Sequence, residues 1–327
     1  MISRNVSSLH YRQQGLILPL TLIILAILTI MGSLLLQRNH QLIEQVELRR
    51  DQWQARLAIH NAEQRVMLTL LVGDQEPAAY RLGDIQLRTD GTPLKLSNDV
   101  WVSVQDQAGL LSLRYQRSDA IRMLVRSFVS EPQASHITQG ILTFQRPTTG
   151  EVSLNQQHAP REALMRSLDE LMLIDVITPQ WYNGRRNLRP LDEYPEDAER
   201  LQTLQQWQPL PDVGLRDLFT LTGSSYINYA TVPEALLRRI YRATDADIER
   251  LNRLKSQSNW SGVASTLTDL GLVGELQLTP SSRYIIRYQL GDIQARGDYQ
   301  VRSTTLPPRK RSWYFPDRYR YFNHHKE

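Results

Sequence analysis

Leu16–Leu36, LILPLTLIILAILTIMGSLLL, carries no charged residue in its 21 positions. At about 1.5 Å of rise per residue, a helix of that length spans roughly 30 Å, the thickness of a bilayer hydrocarbon core. A secretory signal peptide has a shorter apolar core and then a small-x-small cleavage site. Leu36 is instead followed by Gln-Arg-Asn-His and a long helical pattern. A buried core helix is disfavoured because the run is apolar on every face. It reads as one membrane span. From Gln37 to about Leu71 no Gly or Pro interrupts the chain, and Leu42, Val46, Trp53, Leu57, Ile59, Val66, Met67 and Leu70 form an apolar stripe. The spacing predicts a single helix over residues 16–71, membrane-spanning over 16–36. Pro19 is tolerated in its first turn, where its missing N–H has no helical partner.

Composition narrows the remainder. The chain has 327 residues, 41% hydrophobic and 22% charged, which fits globular domains and excludes global disorder. Cysteine is absent, so a disulfide framework, a thiolate metal cluster and a cysteine nucleophile are all excluded. The formal charge of +4 resides in the tail from Arg309 to Glu327. The rest carries 32 charges of each sign, so a uniformly basic surface is excluded.

Residues 1–15 are polar, contain Arg4 and Arg12, and end in Gly15. Basic residues before a first span favour a cytoplasmic N-terminus, but Arg38, Arg49 and Arg50 lie on the other side of the span, so this rule alone decides little; no second comparable apolar run follows. Everything after residue 37 is expected on one side of the membrane. A short polar leader ending in Gly, an immediate apolar helix and its amphipathic continuation resemble a type IV prepilin or a type II secretion pseudopilin. The resemblance implies cleavage by prepilin peptidase between Gly15 and Leu16, with methylation of the new N-terminus. Most such subunits carry Glu at the fifth mature position, where this chain has Leu20. The K-type minor pseudopilin (general secretion pathway protein K family) also lacks that Glu.

Further on, Val100, Val102 and Val104 read as a half-buried strand, Asp106–Gly109 as a turn, and Leu111 with Leu113 as a return strand. From Ser118 to about Thr279 the period is helical. The candidate helices are 120–129, 161–174, 197–207, 213–221, 232–241, 245–257 and 261–270, with capping signals at Ser167/Glu170 and Thr244/Asp245. After Pro280 alternation returns: Tyr284, Ile286, Tyr288 and Leu290 form one face, Gly291-Asp292 a turn, and Ile293, Ala295, Tyr299 and Val301 continue. Ser167-Leu-Asp169-Glu170-Leu171, then Thr178-Pro and Trp181-Tyr182, is similar to the first helical repeat of K-type pseudopilins. Leu218–Gly223 with Ile227–Leu236, including Asn228, Thr231 and Pro233, is similar to the second. Physically, Asn228–Pro233 fits a helix entry, where Asn and Thr satisfy free donors and Pro occupies the first turn.

The expected fold class is therefore α+β. The pseudopilin layout has a long N-terminal helix packed on an antiparallel sheet (residues 80–117 and 280–322). A large all-α domain, similar to SAM or helix-hairpin-helix units, is inserted over 118–279.

Catalytic signatures are missing. There is no G-x-x-x-x-G-K-[ST], G-x-G-x-x-G, G-x-S-x-G or H-E-x-x-H. Family members hold calcium in an acidic stretch before the first repeat. The matching stretch here, 141–151, has one carboxylate and an arginine, whereas calcium wants several carboxylates, so no cofactor is expected. The tail Arg309-Lys-Arg-Ser-Trp-Tyr-Phe interleaves basic and aromatic residues, as single-strand nucleic-acid binders do. It equally fits an edge strand with inward aromatics and protective charges, and no nucleic acid is expected.

The resemblance implies a non-enzymatic minor pseudopilin at the tip of a periplasmic pseudopilus, anchored in the inner membrane by a single pass with the bulk periplasmic. Its partners would be the I- and J-type minor pseudopilins, the major pseudopilin and prepilin peptidase. The alternative is a minor or tip pilin of a type IV pilus-like system with surface or DNA binding.

Overall fold

The computed structural model describes residues 17–96, 99–115, 118–145, 163–184, 213–221, 225–272, 274–302 and 306–317. The chain divides into two compact units, Met1–Arg56 and Leu57–Glu327. One helix, α1 (Ile17–Val72), runs through the boundary. In the first unit it is long and apolar enough to cross a membrane. The fold class is α+β.

In the second unit, α1 contributes Ile59, Ala62, Val66, Met67 and Leu70 to a core shared with Val100, Val102, Val104, Tyr284, Ile286, Tyr288, Ala295 and Tyr299. The steps 59, 62, 66 and 70 place one helical face on a sheet. Gly73 ends the helix where the chain passes the backbone of Arg81. A Cβ there would meet Thr69 O at 2.5 Å and Arg81 O at 2.9 Å.

A three-stranded antiparallel meander follows: β1 (Asp74–Glu76), β2 (Ala79–Leu82) and β3 (Ile85–Arg88). The main sheet comprises β4 (Asp90–Lys95), β5 (Trp101–Asp106), β10 (Arg283–Leu290), β11 (Ile293–Gln300) and β12 (Arg309–Tyr314). Its order is β12-β11-β10-β5-β4 and every pairing is antiparallel. Strands β5 and β10 are neighbours, with Tyr284 opposite Asp106 and Tyr288 opposite Val102. The chain leaves the sheet at Asp106 and returns at Arg283 beside the strand it left.

Between those points lie β6 (Leu111–Ser112), α2 (Ser118–Arg126), α3 (Glu131–Gln145), α4 (Pro179–Asn183), α5 (Leu215–Leu218) and β7 (Phe219–Thr220). They are followed by β8 (Ile227–Asn228), α6 (Glu234–Tyr241), α7 (Asp245–Ser256), α8 (Trp260–Asp269) and β9 (Leu276–Gln277). These elements bury a second core that includes Ile121, Leu124, Ile137, Ile141, Leu171, Phe219, Leu237, Ile248, Leu251 and Val263. Two parallel pairs, β6 with β7 and β8 with β9, tie it together.

Several local expectations change. Strand β5 is buried on both faces: Val102 and Val104 join the core shared with α1, while Gln105 on the other face donates to Thr231 O of the inserted segment at 2.9 Å, so its alternation does not mark a solvent face. Asp106–Gly109 is no hairpin turn: Gln107–Gly109 forms a 3-10 turn, and Leu111–Ser112 pairs parallel with Phe219–Thr220. The predicted antiparallel sheet is split into the meander and the five-stranded sheet. Within 161–174 the described helical part is a 3-10 turn, Leu168–Leu173, and within 213–221 only Leu215–Leu218 is helical before β7. Helix α3 was not anticipated. The candidate helix 197–207, the segment 146–151 and Tyr319–Phe322 lie outside the described residues.

Candidate functional site

In the first unit, Leu20, Leu22, Ile23, Leu25, Ile27, Leu28, Ile30, Met31 and Leu34–Leu36 are all exposed, Leu20 at 57%. An uncharged surface of this extent calls for lipid or other apolar helices. Gly15 and Leu16 lie outside the described residues.

In the second unit the predicted motif residues gather on two carboxylates, Asp106, which is buried, and Asp169, which is exposed. Asp106, the last residue of β5, is fully buried. It accepts hydrogen bonds from Ala108 N at 3.1 Å, Asn228 Nδ2 at 3.0 Å, Thr231 Oγ1 at 3.4 Å and Ser281 N at 3.2 Å, with a short one from Ser281 Oγ. Burial pushes its carboxyl above the ordinary range, against the pull of these donors. The partners are neutral, so the group is satisfied by hydrogen bonds rather than by a countercharge. Asn228 Oδ1 also accepts from Ala230 N at 3.2 Å, while Pro233 takes the N-cap position of α6. Asn228 and Thr231 therefore lock β8 and the turn after it onto the end of β5, a role beyond helix entry. Gly109 completes the contact: a Cβ there would lie 2.2 Å from Thr231 O.

Asp169 sits in the capped 3-10 turn, where Ser167 and Glu170 form a capping box. It accepts from Tyr182 Oη at 2.6 Å and from Tyr314 Oη at 2.9 Å, so β12 is bonded to the helical segment. Burial raises the Asp169 carboxyl, but hydrogen bonds from Tyr182, Tyr314 and Ser167 outweigh it and hold the group below its ordinary value. Leu171 is buried in the second core.

Two further hubs carry no sequence motif. Asp217, 4% exposed, receives Arg287 in a short contact and Arg296 Nη1 at 2.5 Å. Beside it, Arg216 grips Asp317 with two nitrogens at 3.0 and 2.9 Å. Glu63 of α1 is 5% exposed and is held by Tyr299 Oη at 2.8 Å and Lys310 Nζ at 2.5 Å. Lys310 also lies 4.3 Å from the Trp313 ring centroid. One cation of the basic tail is thus committed to the helix, and Trp313 packs on the sheet core.

These arrangements hold segments together; they present no nucleophile with an adjacent base. Among the described residues no group of three or more His, Cys, Asp or Glu is placed to hold a metal ion.

No protein-family model matches the chain, and no curated protein matches it. Among solved structures, the crystal structure of the GspK-GspI-GspJ complex from the enterotoxigenic Escherichia coli Type 2 Secretion System is similar in fold. The likeness covers 83% of this chain and 99% of that one, at 10% identity and a TM-score of 0.47.

Proposed function

We propose that this chain is a K-type minor pseudopilin of a type II secretion system, a structural subunit that caps the periplasmic pseudopilus and initiates its assembly. The observation that carries the reading is helix α1 itself. Its first part is uncharged and uncovered, and its last turns pack under an antiparallel sheet whose adjacent strands β5 and β10 are interrupted by a helical insertion. That combination suits a subunit that is anchored in the inner membrane before extraction and works by packing rather than chemistry.

Prepilin peptidase would cut between Gly15 and Leu16, and the new terminal amine would be methylated. In a filament, a buried amine needs a carboxylate, because burying an unpaired charge costs several kcal/mol. Leu20 offers none to a subunit placed above, and the insertion is bulky for a closely wound filament. Both features favour the tip, with the I- and J-type minor pseudopilins below and the major pseudopilin after them.

The test is co-purification of the tagged full chain with those two partners, alongside secretion in a strain lacking the chain. A stable three-protein complex and secretion reduced to background are expected. Normal secretion without the chain would contradict the proposal.

A further inference from the structure

A cavity of about 340 Å³ opens in the second unit between β4 and helices α6 and α7. Its walls are chemically divided. Val232, Leu237, Ile248 and Leu251 supply apolar surface, and Arg88 and Lys255 supply cations. Lys255 reaches it from α7 with a side chain only 13% exposed. Its ion-pair partner among the described residues is Asp90 Oδ2, at 3.5 Å.

That partner is shared. The same oxygen takes Arg88 in a short contact, and Oδ1 accepts from Thr92 N at 3.2 Å and Thr92 Oγ1 at 2.7 Å. One carboxylate with four donors thus serves two cations beside an apolar wall, and Arg88 and Lys255 meet on the same oxygen. Burial pushes the Lys255 ammonium below its ordinary range; Asp90 and, more weakly, Glu234 oppose that shift and Arg88 adds to it. Of the other two carboxylates that line the cavity, Glu234 is bonded to Arg238 at 2.7 Å and Asp217 to Arg287 and Arg296.

We infer that this cavity is a binding site for a carboxylate carried on a short aliphatic or aromatic body. The carboxylate would meet Lys255 and Arg88, and the apolar body would lie against Val232, Leu237, Ile248 and Leu251. A ligand carboxylate would give these two cations a second acceptor beside the Asp90 oxygen they share, and the partial burial of Lys255 strengthens the pairing. The volume suits one small acid or the last side chain and terminal carboxylate of a polypeptide, a recognition mode that uses both halves of the site. This inference does not depend on the secretion assignment.

The chain has four lysines, Lys95, Lys255, Lys310 and Lys326, so acetylation by an amine-reactive ester can be followed at each by peptide mass spectrometry. The full chain in detergent is labelled alone, with benzoate, with benzyl alcohol, with N-acetyl-Gly-Gly-Leu, and with N-acetyl-Gly-Gly-Leu amide, none of which carries an amine that the ester could acylate. A bound carboxylate should slow labelling of Lys255 by about tenfold at ten times its Kd, by mass action, and leave Lys95 and Lys310 unchanged. Protection by both benzoate and the free peptide identifies a general acid site. Protection by the free peptide alone identifies a terminal carboxylate as the ligand. The variant Lys255→Met should lose benzoate binding measured by ligand-observed NMR. Unchanged Lys255 labelling with both acids up to about 10 mM, beyond the range of a weak ligand, would overturn the inference. So would equal protection by benzyl alcohol or by the peptide amide.

Discussion

Arg287 and Arg296 stand directly opposite each other across the β10–β11 hairpin. Like charges in that position repel, so the pairing needs an anion between them, and Asp217 supplies it with one oxygen. Asp217→Asn should therefore cost about 3–5 kcal/mol, the penalty for leaving a buried charge uncompensated, measured as urea unfolding of the full chain in detergent. Half of this hub is legible in the sequence. The turn Gly291-Asp292 fixes the register and sets 287 against 296. The acid that resolves the conflict lies 70 residues earlier in a four-residue helix, where no periodicity points to it.

Asp106 gives a pH signature of known sign. Its native carboxyl sits above the ordinary value of 3.8, so the folded state keeps the proton longer than the unfolded chain. Stability from this group therefore falls as pH rises from that ordinary value through the native one, then levels off. Asp106→Asn does not titrate. The stability difference between wild type and variant should shrink with rising pH across that window; a difference that grows would contradict the account. Asn228 and Thr231 could be singled out from sequence, but their shared partner could not, because hydrogen bonds across 122 and 125 residues leave no local trace.

Elements with local punctuation were readable. Thr244 caps α7, as its place before Ile248 and Leu251 predicts, and Asp247 rather than Asp245 returns the bond. Thr244→Ala should lower stability by about 1 kcal/mol, the usual worth of such a cap. Helix α3 shows the opposite case. Ala134, Ile137, Ile141 and Phe144 have helical spacing and are buried, yet Gly140 and the hydroxyl-bearing Thr138 and Thr143 weaken the local propensity. Packing overrides it: a Cβ on Gly140 would touch the Ile174 side chain at 2.8 Å, so the glycine permits a close approach. Ile141→Ala in this helix should cost about 2–5 kcal/mol by opening a cavity, read in the same unfolding experiment. The pairs β6–β7 and β8–β9 escaped because two residues are too few to show alternation.

For the whole molecule, the order of helix, strands, helices and strands was legible from hydrophobic period alone. The placement of β10 beside β5 was not written in either strand, because a pairing such as Tyr284 with Asp106 joins residues far apart in the chain and leaves no local trace. The 56-residue helix α1 is the feature on which sequence and structure agree most fully, and it is also the one on which the proposed secretion role rests. The most direct test of that tie is the site where the helix begins. A peptidase at the membrane face must admit the backbone on the leader side of the bond, and Gly15 presents no Cβ to obstruct it. Intact-mass analysis of membrane-purified protein, with and without prepilin peptidase, decides the matter. The predicted result is a chain beginning at Leu16 and bearing one added methyl group when the peptidase is present, and a chain beginning at Met1 when it is absent or when Gly15→Leu is introduced. Wild-type chains beginning at Met1 in both strains would contradict the pseudopilin account.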